Sequence, residues 1–340
     1  MSEEQLAVNA GRESVEEFIL NSWRPAEFRN GQPYSSDGHP CPLSSQDLRT
    51  NAFLQREEWE ALDAAIVKRA GQRLNIYSDL IGMGLRSQGS LAEWYTKWRV
   101  EDEVTSASVS MDFETDPEGD RPDYKVYGQP VPIISKAFSI GRRELATARA
   151  SGTPLDTSAA EACAAAVAEM VEQIIVDGNT DIVVNGAPIY GLQTIAGRYQ
   201  LTAAGDFGTL SNIEPTFVED FLPTMHGRRF HGPWNIYIAS TQYAQLLQRY
   251  DSTGARALGE LLALPEINAI KPNDMVDAGE FLGVQMTSDV IDYREALSLE
   301  TRRWEHPSGS RMFYVVCLMG VPRIKTQYGG YSGIVHGSGA

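Results

Sequence analysis

The sequence has little cysteine and no long hydrophobic run. Its 340 residues include three cysteines, Cys41, Cys163 and Cys317. None belongs to a CxxC pair or a Cys/His cluster, so no zinc site is predicted, and so sparse a set is typical of a reducing compartment. The longest apolar run, Met312 to Val321, has ten residues, whereas a membrane span needs roughly 20. Because the N-terminus also lacks the features of a signal peptide, we expect a protein made in the cytoplasm with no membrane partner.

Positive charge is scarce as well. The chain has 29 lysines and arginines against 45 aspartates and glutamates, which gives a formal net charge of −16. The first 60 residues alone hold eleven acids and five bases. Since proteins that grip phosphates usually present a basic patch, this composition argues against an N-terminal region that grips DNA and against non-specific adhesion to nucleic acid or anionic membranes.

The common catalytic motifs are absent from the sequence. It has no GxGxxG fingerprint, no GxxxxGK[ST] phosphate loop, no GxSxG elbow and no HExxH pair. His226 and His231 lie five residues apart, but no carboxylate or cysteine near them in sequence completes a metal-binding set. We therefore predict a structural protein with no enzyme activity, cofactor or metal. A catalytic triad drawn from distant residues would leave no such motif, so a cytosolic α+β enzyme remains an alternative.

The first segment that the sequence does contain is an arm followed by a helix. The stretch Arg24–Ser45 carries four prolines and two glycines, which excludes a continuous helix and favours an extended arm over residues 1–52. A helix is predicted next, over Arg56–Ala70, because apolar residues such as Leu62 and Ile66 recur at three- and four-residue spacing.

An acidic hairpin is predicted after this helix, over Val104–Phe138. Val109, Met111 and Phe113 alternate with polar residues as in a strand, and a run of turn-forming residues follows them. Between Glu101 and Asp123 there are nine acids and one base. A hairpin this polar cannot bury both faces in its own domain, so we expect it to project outward; an ordinary surface hairpin is the alternative.

The clearest helix is predicted over residues 158 to 177, with Ser158 and Glu161 forming a capping box. Its alanine-rich body permits close approach of a neighbouring element, and its length makes a rod of roughly 30 Å. Strands and helices alternate from Ile182 onward, which predicts an α+β fold. Four of the later segments are a helix over Pro215–Leu222, a buried strand over Trp234–Ala239, and strands over Arg311–Leu318 and Val321–Lys325.

Three parts of the chain then resemble one family. They are Val131–Thr157 (VPIISKAFSIGRRELATARASGTPLDT), Asp181–Thr194 (DIVVNGAPIYGLQT), and the closing strands Phe281–Val284 and Phe313–Ile324. In their order and spacing they resemble the major capsid proteins of tailed bacteriophages, whose Hong Kong 97-type fold is shared with the encapsulins. The resemblance covers residues 55–330.

The resemblance implies an α+β capsid fold with six parts in chain order. These are an N-terminal arm (1–52), an N-terminal helix with the start of the peripheral domain (53–100), an extended hairpin loop (101–140), a peripheral domain with the long spine helix (141–185), an apical domain (186–295), and closing strands with the C-terminus (296–340).

The resemblance also implies a function. Copies of the chain would form pentamers and hexamers of an icosahedral shell in the virion, enclosing double-stranded DNA without sequence-specific contact. Portal, scaffolding and decoration proteins would be its further partners, and an encapsulin shell is the alternative with the same fold. Under this hypothesis the subunit interface includes Val109, Met111, Phe113, Pro117, Gly119, Tyr124, Arg142 and Arg143.

Overall fold

The computed structural model describes residues 28–29, 32–33, 56–101, 111, 121–151, 156–202, 212, 215–249, 256–305, 311–327 and 329–338. These residues form a mixed arrangement of helices and strands, which confirms the predicted α+β class. Most of the predicted arm lies outside the described residues. Within it, the structure places two short antiparallel strands, β1 (Phe28–Arg29) and β2 (Gln32–Pro33). The predicted domain limits themselves stay predictions.

Eight helical segments occur within the described residues. They are α1 (Arg56–Gly71), α2 (Ile76–Gly82), α3 (Arg142–Ser151), α4 (Ser158–Val176), α5 (Thr216–Phe221), α6 (Leu222–Gly227), α7 (Ser240–Leu246) and α8 (Ala257–Leu262). The two longest, α1 and α4, confirm the helices predicted from apolar spacing. The capping of α4 differs from the prediction: the N-cap residue is Thr157, not Ser158, and its side chain makes no capping hydrogen bond. The carboxylate of Asp156 accepts the Ser158 N–H at 2.9 Å. This hydrogen bond lowers the pKa of Asp156.

The remaining strands form four more sheets. Their bounds are β3 (Arg86–Gln88), β4 (Tyr95–Glu101), β5 (Tyr124–Pro130), β6 (Ile133–Gly141), β7 (Gly178–Val184), β8 (Ala187–Tyr190), β9 (Tyr199–Thr202), β10 (Trp234–Ile238), β11 (Ile267–Pro272), β12 (Glu280–Gln285), β13 (Ile291–Glu305), β14 (Arg311–Ile324) and β15 (Ile334–Ser338). The peripheral sheet has the order β3-β13-β14-β6, and the apical sheet has the order β11-β10-β12-β15-β9. β4 with β5, and β7 with β8, form two antiparallel ribbons.

The peripheral sheet packs against α4, and α1 packs against α4 in turn. Buried side chains alternate along β6 at Ile134, Phe138 and Ile140, as expected for a strand with one covered face. Phe138 stacks on Tyr314 of β14 with ring centroids 5.2 Å apart. Ala160, Ala164 and Ala168 form a buried face of α4, and their small side chains let the neighbouring elements approach closely.

The apical sheet is built around β10, which is buried at all five positions. This confirms the buried strand predicted at Trp234–Ala239. Phe221 of α5 meets Trp234 edge to face with ring centroids 4.9 Å apart, and Phe217 meets Phe281 of β12 at the same distance. Such aromatic pairs add to the stability that simple burial provides.

The predicted hairpin over Val104–Phe138 is wrong in its bounds. The strand that pairs with Tyr124–Pro130 is Tyr95–Glu101, which lies before the predicted start. The residues after Pro130 do not continue this ribbon, because Ile133–Gly141 pairs with β14 in the peripheral sheet. The covered face of that sheet gives β6 a burial that the ribbon could not offer.

Two other sequence predictions need correction. The strands predicted on either side of Gly320 are one strand, β14, because the missing side chain makes room for the ring of Tyr293: a Cβ at Gly320 would lie 2.6 Å from that ring. The helix predicted to stop at Leu222 continues to Gly227. Pro223 lies in the first turn of α6, where a helix tolerates a residue without an N–H.

Within the described residues, the structure has no helix that is both long and apolar enough to cross a membrane.

Candidate subunit interface

The ribbon of β4 and β5 is the first candidate contact surface. Its strands pair along seven residues, from Tyr95 opposite Pro130 to Glu101 opposite Tyr124. Within the part of the chain that the structure describes, neither strand joins a larger sheet. A two-stranded ribbon presents unpaired backbone groups along both outer edges, and these are ready to pair with another chain.

The ribbon and its approach expose large apolar side chains. Val126 is 62% exposed, Tyr124 is 55% exposed, and Trp94, which directly precedes β4, is 80% exposed. Trp98 stacks on Tyr127 across the ribbon with ring centroids 6.4 Å apart. The indole N–H of Trp98 is shielded from solvent and has no acceptor among the described residues. Trp94, Tyr124 and Val126 therefore leave an apolar surface exposed on the ribbon and its approach.

One glycine of β5 makes room for an aromatic ring of the opposite strand. A Cβ at Gly128 would lie 2.5 Å from the ring of Tyr95, so only glycine lets this ring lie across the opposite strand. The ammonium of Lys97 lies 5.8 Å from the centroid of the same ring, within the range of a weak cation–π contact.

Gln129 fastens the root of the ribbon to the body of the protein. Its side chain is 1% exposed. The amide nitrogen donates to the carbonyl of Pro322 in β14, and the amide oxygen accepts the N–H of Tyr190 in β8 at 3.3 Å. One buried side chain therefore joins the ribbon to both the peripheral sheet and the β7–β8 ribbon.

An ion pair between Glu93 and Arg294 supports the same root. The guanidinium of Arg294 donates to both carboxylate oxygens of Glu93, at 2.8 Å at the shortest, and also to the hydroxyl of Ser87 at 2.9 Å. Burial alone would raise the pKa of Glu93. The hydrogen bonds and charge of Arg294 outweigh this effect and hold the pKa below its usual value.

The second candidate region is the junction between the spine helix α4 and the apical sheet. Glu172 of α4 is 1% exposed, and one of its oxygens accepts the N–H of Tyr77 in α2 at 3.1 Å. The other oxygen has no hydrogen-bond partner among the described residues. Burial raises the pKa of Glu172 to about 7, although backbone N–H groups at the start of α2 and the side chain of Asn273 act in the opposite direction.

Helix α2 also connects this junction to the apical strands. Asp79 lies 2.5 Å from the ammonium of Lys271 in β11 and accepts the hydroxyl of Tyr237 in β10 at 2.8 Å. Burial and the charge of Asp79 raise the pKa of Tyr237, so that its hydroxyl stays a neutral donor. On the other side, the hydroxyl of Tyr77 donates to Glu295 of β13 at 2.8 Å.

In the structure, a carboxylate lies beside the two histidines that the sequence analysis noted. The sequence alone did not indicate this carboxylate. Glu266 lies 2.7 Å from His226, and the rings of His226 and His231 are 5.1 Å apart. Even so, no group of three potential ligand side chains among the described residues is arranged to hold a metal ion.

The predicted interface residues are distributed over two places. Tyr124 begins β5 and Met111 is fully exposed, whereas Arg142 and Arg143 begin α3 at the far end of β6. The other four predicted residues lie outside the described residues; they are Val109, Phe113, Pro117 and Gly119. These interface assignments stay predictions.

Sequence reasoning missed the residues that fix the ribbon. The segment Tyr95-Thr96-Lys97-Trp98 alternates weakly, yet its two aromatic residues were a usable strand signal. Gln129 carried no comparable signal, because its partners are 61 and 193 residues away in sequence.

Solved structures of shell proteins share this fold. The virus-like particle from Pyrococcus furiosus aligns with a TM-score of 0.54 at 19% identity, over 82% of this chain and 99% of that one. The capsid of Myoviridae phage XM1 aligns with a TM-score of 0.56 at 11% identity, over 76% of this chain and 90% of that one. The chain therefore has the Hong Kong 97-type capsid fold, and the resemblance found in the sequence is confirmed.

Two relatives share sequence with the chain. The type 1 encapsulin shell protein EncA of Myxococcus xanthus is 27% identical over 268 residues, which cover 75% of this chain and 86% of that protein. A diheme-cytochrome–encapsulin shell fusion protein of Kuenenia stuttgartiensis is 25% identical over 262 residues, which cover 75% of this chain. The match spans 63% of the fusion protein, less than two thirds of its length. The family model described as "Family of unknown function (DUF6260)" matches residues 49–337, and the chain belongs to that family.

Proposed function

We propose that the chain is the major capsid protein of a tailed bacteriophage, which self-assembles into the icosahedral shell around a double-stranded DNA genome. The observation that carries the proposal is the β4–β5 ribbon. Its root is fixed by buried polar contacts, while its apolar side chains face solvent in a single copy. A neighbouring copy in a shell would cover them.

The exposed apolar area of the ribbon supports a permanent partner. Exposed tyrosine, valine and tryptophan side chains in one region mark an interaction surface or an aggregation hazard. Permanent interfaces between subunits bury far more area than transient contacts do, and they are more apolar.

The charge of the chain fits the proposed contents. A net charge of −16 per copy gives a shell that repels packaged DNA rather than holding it, so the genome can move during filling and ejection. In this proposal the chain acts by geometry and has no catalytic residues. Portal, scaffolding and decoration proteins are its proposed partners, and the virion is its proposed location.

An encapsulin shell is the second candidate function. It is favoured by the two encapsulin relatives, which match the chain at 25% and 27% identity. The two functions differ in the contents of the shell, since an encapsulin encloses protein cargo and a phage capsid encloses DNA.

Electron microscopy of the purified chain, expressed with and without its neighbouring genes, tests the proposal. We expect closed shells or rings of five or six subunits. Nuclease-resistant DNA inside shells made with the neighbouring genes supports the phage capsid, whereas a co-purifying enzyme and no DNA supports the encapsulin. A small monomer or dimer that never assembles at high concentration, together with turnover of a substrate, would establish the enzyme alternative instead.

A further inference from the structure

A small polar cavity lies at the junction between the spine helix α4 and the apical sheet. It is lined by residues between α1 and α2, by α4 and by the segment that follows β11. Its volume is about 30 Å³, which is room for roughly one or two water molecules and too little for a larger ligand. Two of the side chains that line it, Glu172 and Asn273, are buried, with 1% and 2% of their surface exposed.

Each of these two side chains has one polar atom with a partner and one without. Oε1 of Glu172 accepts the N–H of Tyr77 at 3.1 Å, and Oε2 has no hydrogen-bond partner among the described residues. Oδ1 of Asn273 accepts the N–H of Met275 at 2.7 Å, and Nδ2 has no partner in the same part of the chain. Because an amide nitrogen cannot accept the Met275 N–H, this bond fixes the amide in the orientation that leaves its nitrogen unpartnered. The cavity is therefore bordered by one buried acceptor and one buried donor.

Water is a ligand that satisfies both atoms. A buried donor and a buried acceptor without partners each destabilise the folded state, and one water molecule can accept from the amide and donate to the carboxylate. Water also suits both protonation states of the carboxyl. Burial raises the pKa of Glu172 to about 7, although backbone N–H groups at the start of α2 and the amide of Asn273 act in the opposite direction. A protonated carboxyl would donate to the same water, whose oxygen has two lone pairs.

A metal ion fits the cavity less well than water does. The side-chain nitrogen of Asn273 is a donor and cannot ligate a cation. The other two acids of the lining have partners of their own: Glu169 pairs with Arg73 at 3.5 Å, and Asp274 accepts the hydroxyl of Ser240 at 2.6 Å. As noted above for the described residues, no three potential ligand side chains are arranged to hold a metal ion.

The cavity also lies between two parts of the fold. The backbone N–H of Asn273 donates to the carbonyl of Ile238 at 2.9 Å, which attaches this residue to β10 of the apical sheet. Glu172 belongs to α4, which packs against β6 and β14 of the peripheral sheet. A water molecule between the two side chains would therefore link the spine helix to the apical sheet.

We propose that the cavity is a water-binding site, in which about one or two water molecules hydrogen-bond to Oε2 of Glu172 and Nδ2 of Asn273. The water is a structural part of the folded chain, since buried waters with polar partners are costly to remove. The site goes beyond the proposed shell function and does not depend on it, because all of its residues belong to one copy.

A crystal structure or an electron cryo-microscopy map of the full chain, at a resolution that shows ordered water, tests the site directly. We expect a water peak about 2.7–3.2 Å from both Oε2 of Glu172 and Nδ2 of Asn273, or two linked peaks that reach one atom each. A map without such a peak, or with a direct hydrogen bond between the two side chains, would overturn the proposal. A peak about 2.0–2.6 Å from several oxygens would also overturn it, because those are the distances of a bound metal ion.

Asn273→Leu removes the donor while keeping a side chain of similar shape. We expect its map to lose the water and its equilibrium constant for unfolding in urea to rise by tenfold or more, since Oε2 of Glu172 and the Met275 N–H then lack partners. Gln129→Leu is the matched control: it removes another buried amide, at the root of the ribbon, so it should also destabilise the chain but leave the water in place. A water peak that persists in the Asn273→Leu map would contradict the site. If this variant does not fold, the map of the unmodified chain decides whether the water is present.

Discussion

Two strands that both contain aromatic and β-branched residues differ sharply in their burial. β10 of the apical sheet reads WNIYI and is buried at every position, whereas β5 of the ribbon reads YKVYGQP and is exposed at its first four positions. Both contain aromatic and β-branched residues, which favour strands in any context. Their difference in burial comes from their neighbours: β10 lies between two strands of a five-stranded sheet, and β5 has one partner strand among the described residues.

The comparison separates two sources of stability. The apical strand is buried when the chain folds, so its burial stabilises the single copy. The apolar side chains of the ribbon remain in water until another surface covers them. Their burial would therefore stabilise an assembly of copies and not the single copy. Substitutions should therefore affect the free energy of unfolding in one region and shell formation in the other.

Ile236→Ala in β10 should produce the largest effect. Ile236 is fully buried, and removing its side chain leaves a cavity in the apical core. We expect the free energy of unfolding of the unassembled chain to fall by about 2–5 kcal/mol. Urea unfolding followed by tryptophan fluorescence measures it. Val126→Ala on the ribbon is the matched control, with an expected change within about 0.5 kcal/mol; equal losses from both would contradict the comparison.

The sequence predicted the buried region better than the exposed one. Helices α1 and α4 and strand β10 were recognisable because their own apolar spacing matches the surface that each one buries. The strand Tyr95–Glu101 was missed because its alternation is less regular than that of Val109, Met111 and Phe113, on which the prediction was based. Val109 and Phe113 lie outside the described residues. The local pattern of apolar residues predicts strand position poorly where few of those residues are buried within the chain.

Contacts between residues far apart in sequence could not be predicted, for a different reason. Glu93 and Arg294 lie 201 residues apart, and nothing near either residue indicates the other. Gly320 resembled a strand break, because only the fold reveals the ring of Tyr293 above it. The family resemblance supplied the order of the parts, and the structure was needed to show which residues fasten them together.

Glu172→Gln should change how stability depends on pH at the junction beneath the apical sheet. The pKa of Glu172 rises from an ordinary 4.5 to about 7 on folding. The stability that the protonated Glu172 side chain gives the folded protein is therefore fully present below pH 4.5. It is lost as the pH rises through about 7. At pH 8 we expect the variant to be more stable than the unmodified chain by up to about 3 kcal/mol, with little difference at pH 4.

Urea unfolding of the unassembled chain at several pH values tests this expectation. Glu169→Gln, one turn away in α4, is the control, because Glu169 is half-exposed and pairs with Arg73 at 3.5 Å. A pH profile that Glu172→Gln leaves unchanged would show that Glu172 ionises at its ordinary pKa in the folded chain.

Gln129→Ala tests the attachment between the two regions. The change removes both hydrogen bonds of the buried amide and leaves the Pro322 carbonyl and the Tyr190 N–H without this partner. We expect a loss of about 1–3 kcal/mol in the free energy of unfolding. Hydrogen exchange should also become faster in Tyr95–Glu101 than in β10. Uniformly faster exchange in both strands would mean that Gln129 supports the whole fold and not the root of the ribbon.

Tyr124→Ser combined with Val126→Ser should have the smallest effect on the single copy and a clear effect on assembly. Both side chains are more than half exposed, so the free energy of unfolding should change by less than about 1 kcal/mol for the pair. Removing their apolar area from a subunit interface should raise the protein concentration needed for shell formation by tenfold or more, since each lost contact recurs in every copy. Light scattering across a concentration series measures that threshold.

Tyr331→Ser is the control, because Tyr331 is 48% exposed but follows β14 rather than lying on the ribbon. An unchanged threshold in the ribbon variant would mean that these side chains stay in water in the assembled shell, and that the ribbon contributes through its backbone edges instead.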